Sequence, residues 1–298
     1  MIYLVITIVL NVGIFLSFRS YSKLGINTLN AIVINYLVCV ITGFVFYGKA
    51  LQSQIYILSE TWILFPMALG IVFVLTFYLM ALTTQKYNVT VATISSKMSM
   101  VIPVIFSLYV FKLDIAKFNV VNFIGLALAI ASIILSSMRS EEKKISFRSK
   151  NFLLIIPILV FLSTGLIDTS LNYINAFLIK PSQKSILPIF IFTSAFVAGV
   201  LILLIRRKRI RIKDVMGGIY LGIPNYFSIY FLLLTLTYFA NNGAVVYPIL
   251  NVGIIVISSI AAFLIFHEKL NNLNIAGMGL AISAIFLISY QDIIAYFS

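Results

Sequence analysis

At 298 residues, 62% of them hydrophobic and 10% charged, with a mean hydropathy of +1.12, the chain is too apolar to be a water-soluble globule without exposing large apolar patches. Its net charge of +13 suggests a nucleic-acid partner only until the Lys and Arg residues are located. They lie between apolar stretches rather than on a soluble face interleaved with aromatics, so they report membrane topology and no nucleic acid is expected.

A membrane-spanning helix needs about 20 mostly apolar residues. Ten stretches qualify, over residues 2–18, 29–47, 62–84, 89–110, 118–138, 152–172, 185–205, 214–238, 242–265 and 272–291. They run too long and too evenly apolar for the alternating strands of an outer-membrane barrel, and helices satisfy every peptide group inside lipid. The expected fold is all-α, a multi-pass protein of the cell (inner) membrane with the bilayer as its surroundings.

The first stretch has no positive residue ahead of it and no small-residue cleavage site behind it, so it reads as a retained helix, with Asn11 as its polar candidate. The second holds the lone Cys39, which can form no intramolecular disulfide and reads as packing. Tyr78 stands in the middle of the third. The fourth carries Lys97 among Ser95, Ser96, Met98, Ser99 and Met100. The fifth has only small residues at packing spacing, Gly125 to Ala129 and Ala127 to Ala131, and reads as scaffold or dimer surface.

The charged stretch 139–150, RSEEKKISFRSK, is the longest hydrophilic linker, and it separates residues 1–138 from residues 151–298. The sixth span holds Asp168 and Asn172, the eighth Asn225, Tyr226 and Tyr230, and the ninth Tyr247 and Asn251 on one helical face. The basic run from Arg206 to Lys213 before the eighth reads as a topology signal. The tenth pairs Gly277 with Gly279, again a packing feature. Pro66, Pro103, Pro157, Pro188, Pro224 and Pro248 all fall inside spans, where each is expected to free a backbone carbonyl and allow a kink.

The first, third, fifth, seventh and ninth connections hold fifteen Lys and Arg residues, and the even ones hold five: Lys49, Lys112, Lys117, Lys180 and Lys184. The positive-inside rule therefore puts the odd connections in the cytoplasm and both termini outside. A shift of 152 residues also brings the chain into register with itself. Gly13 falls on Gly165, Gly70 on Gly222, Tyr78 on Tyr230, and Asn119, Asn122 and Gly125 on Asn271, Asn274 and Gly277. Five spans per copy is an odd number, so the second copy enters the membrane upside down, the inverted-repeat design of secondary transporters.

Ionisable groups inside a bilayer cost about 2.5–3.5 kcal/mol on insertion scales and persist where they meet a partner or water. Lys97 and Asp168 are the two. Lys97 is expected to meet a carboxylate or phosphate of a small-molecule substrate, the alternative being an amine that snorkels to the interface, and Asp168 is the candidate for a coupling proton or else a solvated residue near the outer mouth. Tyr78, Tyr230, Asn11, Ser96, Asn225, Tyr247 and Asn251 complete the expected substrate-binding set. At 1.5 Å per residue Lys97 lies about 13 Å into its span and Asp168 about 24 Å into its own from the same side, which argues against a fixed salt bridge between them. Where Lys97 and Asp168 stand, the repeat has Ile249 and Leu16, so the two charges break its symmetry.

No metal-ligand cluster, glycine-rich phosphate loop or nucleophile elbow occurs, so neither metal, cofactor nor enzymatic chemistry is expected. His267 reads as a surface residue. The closing stretch FLIFHEKLNNLNIAGMGLAISAIFLI, with Gly277 nine residues after Glu268, resembles the end of an EamA repeat of the drug/metabolite transporter (DMT) superfamily, and YPILNVGIIVISSIAAF is similar to its ninth helix. In the first copy Ala116 takes the glutamate's place, with Asp114 nearby. The resemblance implies a ten-helix basket around a central cavity, alternating access, and export or exchange of small metabolites such as amino acids. A phosphorylated-metabolite exchanger and a lipid flippase are the alternatives.

Overall fold

The computed structural model describes residues 2–53, 63–103, 106, 119–137, 147–178, 186–207, 209–238, 243–268 and 270–297. All regular structure among these residues is helical. In chain order the helices are α1 (Ile2–Leu24), α2 (Thr28–Ser53), α3 (Leu64–Lys86), α4 (Val89–Lys97), α5 (Val120–Ser137), α6 (Phe147–Tyr173), α7 (Leu187–Arg206), α8 (Ile212–Tyr238), α9 (Gly243–Phe266) and α10 (Asn272–Phe297). Seven of them, α1, α2, α3, α7, α8, α9 and α10, are long and apolar enough to cross a membrane; the apolar stretches of α5 and α6 are shorter. Most of the linker, residues 139–146, lies outside the described residues, as do Asp114, Ala116, Lys112, Lys117, Lys180 and Lys184.

The fourth stretch departs from a plain span. Its α-helix stops at Lys97 and a 3₁₀ turn, Met98–Met100, follows. Two of the six prolines also differ from expectation. Pro188 sits in the first turn of α7 and Pro66 is the third residue of α3, where no helical N–H is lost and the fixed φ suits helix entry. Pro157, Pro224 and Pro248 are inside helices, as expected.

The two halves of the chain interleave. The most extensive seams, α5 with α10, α2 with α8, α1 with α8 and α3 with α7, each join one half to the other. Contacts across α5 and α10 are reciprocal. Asn122, near the start of α5, donates to the Ile288 carbonyl late in α10 at 3.0 Å, and Asn274, near the start of α10, donates to the Ser136 carbonyl at the end of α5 at 2.5 Å. The two helices are thus antiparallel, and the donors and acceptors are related by the 152-residue offset.

Glycine makes this seam possible. A Cβ at Gly277 would stand 2.8 Å from the Ser136 amide nitrogen, whereas one at Gly279 meets nothing within 4 Å. Gly277→Ala is therefore expected to destabilise by about 1–3 kcal/mol, while Gly279→Ala is neutral or gains up to about 1 kcal/mol of helix propensity. Thermal unfolding of the two purified variants checks the contrast. Gly218 and Gly222 serve the α2/α8 seam in the same way, facing Ile34 and Val38.

Four connections meet at one end of the bundle. Arg19 donates to the carbonyls of Thr84 and Gln85 at 3.1 and 3.3 Å, the Asn27 amide donates to Asp214 at 2.8 Å, and Asn88 donates to Asn274 at 3.3 Å. These are the first, third, seventh and ninth connections, the ones that carry most of the described basic residues. At the opposite end α1, α2 and α8 share an aromatic cluster of Tyr3, Phe46, Tyr47, Tyr226, Phe227, Tyr230 and Phe231, with centroid separations of 5.3 to 6.4 Å.

Candidate functional site

Helix α4 is packed by α1, α3, α5, α6, α9 and α10. Residues 89 to 96 and 98 to 101 are buried, yet Lys97 between them is only half-buried. With six helices around it, the uncovered part of its side chain opens into the bundle rather than to lipid, and the ammonium does not snorkel to an interface. Its Nζ donates to Asn11 Oδ1 of α1 at 3.4 Å. Asn251 of α9 donates to the Lys97 carbonyl at 3.3 Å, holding a carbonyl at the helix break, and lies 3.3 Å from Met100 Sδ.

Asp168 belongs to the same cluster. Ser99 Oγ lies 3.2 Å from its Oδ2, and its carboxyl interacts electrostatically with both Lys97 and Tyr247. The depth count does not foresee this. Gly165 of α6 sits against Ile102, and one turn onward Asp168 meets Ser99, three residues before Ile102 in the 3₁₀ turn that follows α4, so the two stretches run in opposite senses where they meet. Residue counting measures depth only for helices normal to the membrane. Lys97 and Asp168 nevertheless form no direct ion pair; the only two among the described residues are Arg19–Glu268 and Arg211–Asp214.

Of the expected set, Lys97, Asp168, Asn11, Asn251 and Tyr247 come together, and Ser96 joins through its carbonyl, which accepts from Ser99 at 2.6 Å. The other three stand elsewhere. Asn225 is 3% exposed in the α2/α8 seam, bonded to Asn35 at 3.1 Å and Cys39 at 3.5 Å. Tyr78 packs against Leu29, Val33 and Leu203, and Tyr230 lies in the aromatic cluster beside Tyr47. Ser99 is the partner missing from the expected set. The offset marks it, since Ser99 and Asn251 lie 152 residues apart, one polar residue at the same register of each half.

Beneath the cluster, at the basic end, an ion pair joins the halves. Helix α9 ends at His267, whose φ of 52° is left-handed, and the Glu268 amide returns to the Ala262 carbonyl at 3.4 Å. This turn carries the Glu268 side chain inward, where it is 3% exposed and meets Arg19 Nε at 2.6 Å. Its Oε2 accepts from the Val89 amide at 3.1 Å, at the N-terminus of α4, where Asn88 also caps Val91. Burial pushes the Glu268 carboxyl above the usual range, while Arg19, the Val89 amide and Lys23 pull it back. The contact with Arg19 lacks hydrogen-bond geometry at Nε and Oε1, so Coulomb attraction alone holds that edge.

No family model matches the chain. A stretch of 101 residues is 34% identical to an uncharacterized protein of Haemophilus influenzae, and the match covers 34% of this chain and 35% of that one. The chain thus aligns with about a third of that relative's length.

Proposed function

We propose that the chain is a secondary transporter of the drug/metabolite transporter superfamily, EamA type, working by alternating access between two inverted five-helix repeats. The antiparallel α5/α10 seam with its 152-residue reciprocity supports the inversion. The cargo is a small polar metabolite, an amino acid or a related compound, moved across the cell membrane.

One observation carries this reading. An ammonium and a carboxyl are held inside the bundle at the break in α4, in reach of each other's field yet not neutralising one another. Lipid tolerates such groups where they meet a partner or water, and here the hydrogen-bond partners, Asn11 and Ser99, are neutral. Lys97 offers a carboxylate its counter-ion, with Asn11, Asn251 and Tyr247 as polar walls. A phosphorylated dianion fits less well, because Lys97 is the one basic side chain among the described residues of the cluster.

The test is reconstitution in liposomes with a broad panel of labelled solutes, amino acids foremost. Uptake of an amino acid or a similar zwitterion is the expected result. Preference for sugar phosphates selects the exchanger instead, and scrambling of labelled lipid without movement of any solute sinks the transporter reading.

A further inference from the structure

Ser99 has one hydroxyl proton and two acceptors within reach, the Ser96 carbonyl at 2.6 Å and Asp168 Oδ2 at 3.2 Å. A hydroxyl donates once, and an ionised carboxylate can only accept. With Asp168 ionised, one of the two contacts has no proton to fill it. With Asp168 protonated both close, since its O–H donates to Ser99 Oγ while Ser99 donates to the Ser96 carbonyl. The shorter contact is the one to Ser96, where that arrangement puts the Ser99 proton.

The ammonium is consistent with this. Lys97 rests on Asn11 at 3.4 Å and makes no ion pair with Asp168, which is the arrangement a neutral carboxyl allows. Among the described residues, the titratable and charged groups facing Asp168 are Lys97 from α4 and Tyr247 from α9. Helix α5 carries none, and Tyr78 and Lys86 of α3 are not among its electrostatic partners. Ser99 itself is fully buried, so water does not supply a missing hydrogen bond there.

The turn that Ser99 closes is the one that ends α4. Its bond to the Ser96 carbonyl spans the break directly under Lys97, on a helix whose far end is tied to Glu268. We propose that Asp168 is the site of a coupling proton and that Ser99 reads it: loss of the proton turns the Ser99 hydroxyl from the Ser96 carbonyl to the Asp168 carboxylate and unseals the turn that positions Lys97. The Asp168 O–H bond breaks and its proton passes to water on whichever face is then open. No redox partner is involved. The hydrogen-bond switch stands on the geometry alone, and its use in coupling rests on the transporter reading.

Infrared difference spectroscopy of the purified full-length protein through a pH titration tests the switch without any substrate. The expected result is a protonated-carboxyl C=O band that is lost as pH rises, is absent from Asp168→Asn and shifts in frequency or midpoint in Ser99→Ala. The Asn side chain matches Asp168 in shape and its amide can still donate to Ser99, so this variant keeps the fold. A titration series unchanged by Asp168→Asn, or an Asp168 band indifferent to Ser99→Ala, overturns the proposal. In liposomes, uptake by the wild type is expected to respond to an imposed proton gradient and uptake by Asp168→Asn is not. Wild-type uptake indifferent to a collapsed gradient overturns coupling at Asp168, and a titrating band in a protein that moves no solute overturns the transporter reading instead.

Discussion

A Lys97→Met variant is expected to raise the solute concentration for half-maximal uptake by about ten- to a hundredfold. A hydrogen bond to a charged partner contributes about 1.5–3 kcal/mol, and 1.4 kcal/mol is a factor of ten. Methionine keeps the length and apolar stem of the lysine, so packing among the six surrounding helices is preserved and the loss reports the ammonium. The carboxylate assignment adds a second expectation. An analogue in which the solute's carboxylate is an amide should be a poor cargo for the wild type and lose little further in Lys97→Met. Uptake by Lys97→Met equal to the wild type removes Lys97 from the site.

Arg19→Leu carries the largest expected effect on stability, about 3 kcal/mol, because it leaves the Glu268 carboxylate buried without its counter-ion. The sign with pH follows from the direction of the shift. Burial already holds the Glu268 carboxyl above its ordinary value, and loss of Arg19 raises it further. An acid so raised contributes stability that is full below its ordinary pKa of about 4.3 and is lost as pH rises through the folded value. The destabilisation is therefore small in acid and complete in alkali, read as melting temperature in detergent across pH. The offset suggests the rescue: Arg19 and Glu268 correspond to Leu171 and Ala116, so Arg19→Leu with Glu268→Ala reproduces the pair found at the equivalent positions. The double variant is expected to recover most of the loss, short of the Val89 amide contact. Equal damage in acid and alkali would show that Glu268 is not the source.

Lipid made the helices legible in advance. A bilayer imposes one demand on every span, and α1, α2, α3 and α7 to α10 meet it within a few residues of their expected limits. Lys97 was legible for the same reason, since charge at that depth is rare. The company it keeps was less so. Asp168 joins the cluster through the contact of α6 with the 3₁₀ turn after α4, which no residue count contains, and Ser99 was hidden among several serines until its bond to Asp168 set it apart. Tyr78 and Tyr230 match across the offset, but that match speaks to equivalent seams rather than to a shared cavity wall. The Arg19–Glu268 pair depends on a left-handed residue at the end of α9 and on two helices distant in sequence.

The interleaving of the halves bears on how the protein is made. When the ribosome has delivered α5, the helix that fills its Gly125 groove and accepts from Asn122 is still about 150 residues away, and α2 and α3 likewise wait for α8 and α7. The helices of the first half must therefore wait with their mating faces uncovered until the second half emerges. Arrival of α10 completes the α5 seam, so a chain truncated before Asn272 is expected to insert but to remain open to quality-control proteolysis.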